Sequence, residues 1–128
     1  MIYGIGIDLV NIKRMARVID RWGTRFMNRI FTAQEINFCL QGPKLVSSLA
    51  MRFAAKEAFS KALGLGMRKG IRWRDIEIVH NPNGRPDLNV TGKALSFCHE
   101  EEINGWYVTL SDEGDYSIAV VVLEKSPT

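Results

Sequence analysis

Residues 46–63 run without a single glycine or proline, between the breaker Gly42-Pro43 and a stop at Gly64. They are mostly Ala, Leu, Met, Phe and Lys, so they predict the longest helix of the chain. A helix of that length is about 27 Å long, close to the breadth of a small domain. Everything else in a 128-residue chain has to be laid around it. One domain covering residues 1–128 is the simplest arrangement, since no internal repeat or low-complexity linker divides the sequence.

The flanking segments indicate what surrounds that helix. Residues 2–9 alternate, with Ile5, Ile7 and Leu9 on one side and Gly4, Gly6 and Asp8 on the other, which reads as a strand. Asn11 can cap a helix reaching about residue 21, whose apolar stripe is Ile12, Met15 and Ile19. Thr32-Ala33-Gln34-Glu35 has the capping-box pattern and predicts a short helix to about residue 40. Beyond Gly64 we expect strands at 76–79 and 87–90 around the turn Asn81 to Pro86, then a helix over about 92–103. Strands at 106–110 and 116–123, joined near Asp112-Glu113-Gly114, make a closing hairpin. This order predicts an α+β fold, an antiparallel sheet packed on the long central helix.

Composition narrows the class. Hydrophobic residues make up 46% and charged residues 24%, ordinary for a globular chain. A net charge of +3 allows an anionic partner without naming one. Cys39 and Cys98 stand far apart with no neighbouring histidine, so buried free thiols are expected rather than a zinc site. MIYGIGIDLV has no basic segment followed by a long apolar run, and no stretch approaches the roughly 20 apolar residues needed to span a bilayer. A cytoplasmic enzyme or binding domain is the expected class.

Three features could carry chemistry. Two glycines on one face weaken the first strand, either because a ligand must approach beside Asp8 or because the long helix packs closely there. On the long helix, Arg52, Lys56, Glu57, Ser60 and Lys61 share one broad half. That half reads either as a solvated face with a Glu57–Lys61 pair, or as a basic surface around an acid. Asp8 and Glu57 together could hold a hard cation such as Mg²⁺ with water and phosphate oxygens, while Arg52, Lys56 and Lys61 face a polyphosphate. The third feature is a stripe of Arg14, Arg17 and Arg21 opposite the apolar face of the first helix, either plain solvated surface or a docking site for an acidic partner.

Five segments stand in order: GIGIDLVNIKRM near the N-terminus, IFTAQE at 30–35, RFAAKEAFSKALGLG at 52–66, NGRP at 83–86 and VTLSDEGDYSIAVVV at 108–122. In these the chain resembles the holo-[acyl-carrier-protein] synthases, the short bacterial branch of the 4′-phosphopantetheinyl transferases. The resemblance covers essentially the whole length. It implies transfer of 4′-phosphopantetheine from coenzyme A to a serine of an acyl carrier protein, releasing 3′,5′-ADP, in support of fatty acid biosynthesis.

The resemblance also assigns residues. Asp8 and Glu57 match the family's metal-binding acids, with Mg²⁺ as cofactor, and Lys61 matches the lysine that contacts phosphate and supports the leaving group. Arg52 and Lys56 match basic positions that contact coenzyme A. Arg14 and Arg21 fall on the helix that docks the carrier protein. Short members are typically homotrimers with sites at subunit boundaries, so Arg85 and Pro86 of NGRP would serve a neighbour's coenzyme A site. One departure is Tyr107, where many members have histidine; a tyrosine donates a hydrogen bond but is not cationic near neutral pH. The general base stays open between Glu57 and a water. Two rivals remain, a basic nucleic-acid-binding module and an idle scaffold subunit of the same fold. No run of aromatics interleaved with basic residues favours the first, so no nucleic acid or membrane partner is expected.

Overall fold

The computed structural model describes residues 1–126 and builds them around one helix. The elements are strand β1 (Ile2–Asn11), helices α1 (Ile12–Ile30), α2 (Ala33–Gln41) and α3 (Leu45–Leu63), a short 3₁₀ turn (Trp73–Asp75), strands β2 (Ile76–His80) and β3 (Pro86–Val90), helix α4 (Gly92–Glu100), and strands β4 (Ile103–Glu113) and β5 (Tyr116–Lys125). Strands β1, β5 and β4 form an antiparallel sheet in that order, and β2 with β3 forms a separate hairpin. The α+β architecture with a central helix is the one expected.

Local chemistry accounts for the boundaries. Gly64 ends α3 in the left-handed conformation with φ of 80°, which a side chain would resist. Asn11 caps α1 by accepting from the Arg14 amide at 3.0 Å. The predicted end of that helix near residue 21 marks a break rather than a terminus. Gly23, at φ 57° and ψ −137°, interrupts the helical path, and the chain resumes it to Ile30. The Thr32–Glu35 capping box is formed in both directions, at 3.2 and 2.9 Å. Helix α4 stops three residues short of the expected end because Ile103 is already the first residue of β4.

The core lies where α3 crosses the sheet. Ala54, Ala58 and Ala62 are buried against Ala119, Val121 and Leu123 of β5. Backbones approach closely here. A Cβ at Gly4 would be driven onto the Ala62 carbonyl oxygen, and one at Gly6 onto that of Ala58. The glycine face of β1 therefore lies under the helix, and it is the apolar face that is open, with Ile5, Ile7 and Leu9 at 61%, 59% and 56% exposure. A second cluster of Ile30, Phe31, Cys39 and Leu49 fills the space between α1, α2 and α3. Cys39 and Cys98 are free and buried, and burial pushes the Cys98 thiol up to about 11.

Candidate active site

Strand β1 and helix α3 converge on one spot. Asp8 sits on the helix-facing side of β1, two residues beyond Gly6, so the close packing that the glycines allow brings its carboxylate to α3. There the Lys61 Nζ donates to Asp8 Oδ1 at 2.9 Å and to the Ile7 carbonyl oxygen at 3.1 Å. The expected pair between Glu57 and Lys61 gives way to this one: Asp8 offers an almost enclosed carboxylate, 17% exposed, and the Lys61 ammonium takes it.

Glu57 lies one helical turn before Lys61. Its half-buried carboxyl makes no hydrogen bond or ion pair among the described residues. Burial raises its pKa, the nearby negative charge of Asp8 raises it further, and Lys61 pulls in the opposite direction. Asp8 and Glu57 line a common cleft of 310 Å³ with Arg14 and the apolar side chains of Met15, Phe26 and Phe53. The aromatic walls are not legible as site residues in the sequence, because they also belong to the apolar stripes that build the core.

This donor set fits a hard divalent ion. A cation between the two carboxylates would relieve the opposition of Asp8 to the ionisation of Glu57, and the oxygen-only chemistry suits Mg²⁺. Among the described residues no three His, Cys, Asp or Glu side chains group into a full protein cage. Two carboxylates are the number with which Mg²⁺ ordinarily works, the remaining positions going to water and phosphate.

Two predicted phosphate contacts are placed elsewhere. Lys56 is wholly buried and points away from the cleft, donating to Glu35 Oε1 at 2.8 Å, to the Trp73 carbonyl at 3.1 Å and to the Ile76 carbonyl. Burial lowers its pKa while the charge of Glu35 raises it. Arg52, 1% exposed, donates to Ser48 Oγ at 2.8 Å and to His80 Nδ1 at 3.2 Å, and its guanidinium stacks 4.8 Å from the Phe38 ring. Phe38 and His80, which stack on each other at 4.7 Å, both lie against the Arg52 guanidinium. The charged half of α3 is thus neither a solvated face nor one basic surface. Of its polar side chains only Glu57 lines the cleft, and Lys61 stands beside it, bonded to Asp8.

The remaining residues spread over the surface. Arg14 and Arg21 are exposed on α1, the Arg21 guanidinium lying 5.1 Å from the Trp22 ring. Arg85 and Pro86 line a different cleft of 280 Å³ with Trp106 and Tyr107. Within one chain they do not join Asp8 and Glu57. The exposed Tyr107 hydroxyl donates to Glu124 at 3.2 Å, and the negative charge of Glu124 raises its pKa.

The 4′-phosphopantetheinyl transferase superfamily model matches residues 4–121, a span that holds every residue of this cleft. The chain belongs to that superfamily. Within it, the chain is 42% identical over 125 residues to the holo-[acyl-carrier-protein] synthase of Geobacter sulfurreducens, covering 98% of this chain and 99% of that one. The crystal structure of the Neisseria meningitidis holo-[acyl-carrier-protein] synthase superposes with a TM-score of 0.90 at 44% identity, covering 98% and 100% of the two chains. The Helicobacter pylori holo-[acyl-carrier-protein] synthase in complex with coenzyme A superposes at 0.83 with 32% identity, covering 94% and 99%. Among the described residues of this superfamily member, no helix is long and apolar enough to cross a membrane.

Proposed function

We propose that this superfamily member transfers 4′-phosphopantetheine from coenzyme A to a serine of an apo acyl carrier protein, in the cytoplasm and in support of fatty acid biosynthesis. The observation that carries the reading is the meeting of Asp8 and Glu57 in one cleft, with Lys61 bonded to Asp8 at its side, in a chain that matches a holo-[acyl-carrier-protein] synthase over 98% of its length. A relative of the same fold is described in complex with coenzyme A.

The chemistry follows from the groups present. The serine hydroxyl oxygen bonds to the phosphorus that carries pantetheine, the bond from that phosphorus to the bridging oxygen breaks, and 3′,5′-ADP leaves with the electron pair. Lys61, its side chain 53% exposed, can exchange Asp8 for a phosphate oxygen and offset the charge that builds on the leaving group. The hydroxyl proton passes to Glu57 or to a water held beside it. Asp8 and Glu57 would hold Mg²⁺, which when bound supplies positive charge against the pyrophosphate. Arg14 lines the same cleft from α1, and Arg21 stands about 10 Å further along that helix. The two arginines would seat an acidic carrier protein with its serine at the mouth of the cleft.

A homotrimer is the assembly we favour. The open face of β1, with Ile5, Ile7 and Leu9 beside Val120 and Val122 of β5, is a contiguous apolar patch of the kind that marks contact between copies. Such packing would also let Arg85 and Pro86 serve a neighbour's cleft. The deciding experiment for the function is mass spectrometry of an apo carrier protein incubated with coenzyme A, Mg²⁺ and this chain. Transfer adds the mass of one phosphopantetheine; an unchanged carrier defeats the proposal.

A further inference from the structure

The most enclosed charges of the molecule lie outside the cleft. Lys56 and Glu35 are both 0% exposed at their side chains, and between them they tie four segments together. The Lys56 ammonium has three protons, and each has an acceptor: Glu35 on α2, the Trp73 carbonyl of the 3₁₀ turn and the Ile76 carbonyl of β2. Glu35 is equally committed, accepting from the Thr32 amide at 2.9 Å and from the Ile78 amide at 3.1 Å. Around this pair Thr32 Oγ1 donates to Glu77 at 2.6 Å, and Asn89 donates to the same carboxylate at 3.2 Å. None of these partners lines the cleft of Asp8.

Stability alone is a poor reason to keep such a pair. Desolvating two charges costs about as much as their attraction returns, and apolar replacements of similar volume are often neutral or stabilising. What the pair does supply is direction. Lys56 precedes Glu57 on α3, so any roll of the helix about its axis moves both side chains together. On the opposite side α3 rests on glycines through alanines, a contact that limits how near the helix comes but offers small side chains against rolling. Glu57 has no hydrogen-bonding partner of its own among the described residues to correct its aim.

We infer that the buried Glu35–Lys56 pair is a positioning device, fixing the roll of α3 so that Glu57 faces Asp8 across the cleft. Glu35 and Lys56 are positioning residues, acting through the helix. The inference rests on the proposed function, since it supposes that the Asp8–Glu57 pair holds the ion and works on phosphate.

The test replaces both charges by apolar groups in the full-length protein, Glu35→Leu with Lys56→Met, beside the isosteric single change Glu35→Gln. Three readouts are compared with wild type: the melting temperature, Mn²⁺ affinity by titration in the presence of coenzyme A, and kcat and KM for coenzyme A. We expect the double variant to fold but to melt lower, because the Thr32 and Ile78 amides and the Trp73 and Ile76 carbonyls lose their partners. It should bind Mn²⁺ at least five-fold more weakly and lose ten-fold or more in kcat, with KM for coenzyme A little changed. Should the double variant fail to fold, Glu35→Gln carries the same expectation. A folded variant with wild-type Mn²⁺ affinity and kcat overturns the inference. Failure of wild type itself to bind Mn²⁺ or transfer the group instead overturns the function on which it rests.

Discussion

The Lys61 ammonium lies 2.9 Å from the Asp8 carboxylate, bridging two elements that are 53 residues apart in sequence. The pair is half open to solvent on the lysine side, so the ammonium can trade one anion for another. Removing the charge with Lys61→Met should lower kcat by about 10²–10³-fold, the usual cost of losing one group that stabilises transition-state charge. Steady-state kinetics with saturating carrier protein checks this, and a loss confined to KM would contradict it.

Ligand binding should appear as stabilisation. If Asp8 and Glu57 hold the ion against a pyrophosphate, coenzyme A with Mg²⁺ should raise the melting temperature, and a chelator should remove the gain. At one hundred times the dissociation constant the gain is about 2.7 kcal/mol. Asp8→Asn and Glu57→Gln should each fold without that response and transfer almost nothing. A variant that keeps both the thermal shift and wild-type turnover would remove its residue from the site.

Gly6 supports a prediction about packing. Its place under the Ala58 carbonyl leaves no room for a methyl group, so Gly6→Ala has to push α3 off the sheet. The cost should be about 1–3 kcal/mol of stability, as for other overpacked cores. Urea denaturation would measure it, and activity should fall more than stability does because Asp8 shares the strand. An unchanged denaturation midpoint would mean that the two backbones stand further apart.

His80 should make the protein acid-sensitive. A guanidinium only donates, so the Arg52 contact at 3.2 Å requires a lone pair on His80 Nδ1. Burial, and then the positive charge of Arg52, lower the pKa of the ring from its ordinary 6.5. A depressed folded-state pKa means that stability is fully present above 6.5 and is lost as pH falls through the lower folded value. Histidine ring titration by NMR should show His80 with a midpoint below 6.5, and a midpoint above 6.5 would contradict the contact.

The open sheet face sets the last expectation. Ile7→Lys puts a charge in the middle of the apolar patch, so the assembly should dissociate to single chains in light scattering. Transfer should fall with it if Arg85 and Pro86 act across the boundary. A wild-type protein that is monomeric at micromolar concentration would refute the trimer directly.

Caps, stops and the closing hairpin follow from local signals, which is why Gly64, the Thr32–Glu35 box and the β4–β5 pairing all stand where the sequence puts them, whereas the pairing of β1 with β5 is long-range and has no local signal. The buried half of α3 was not legible in the same way. Arg52, Lys56 and Ser60 follow the spacing of a solvated face, and only their partners reveal that they are interior. Those partners, Glu35 and His80, lie 21 and 28 residues away on other elements, and no periodicity within the helix points to them. The glycines of β1 raised a choice between room for a ligand and close approach of a helix. The structure answers for the close approach: the glycines seat the helix, and the helix brings Glu57 to the cleft of Asp8.

Where Gly4 and Gly6 meet Ala62 and Ala58, main chain rests on main chain, and such a contact has no rotamers with which to adjust. The depth at which the helix sits over the strand, and with it the nearest approach open to the two carboxylates, is therefore inherited from the backbone. Retuning the cleft for a larger ion would mean shifting an entire helix rather than exchanging a side chain.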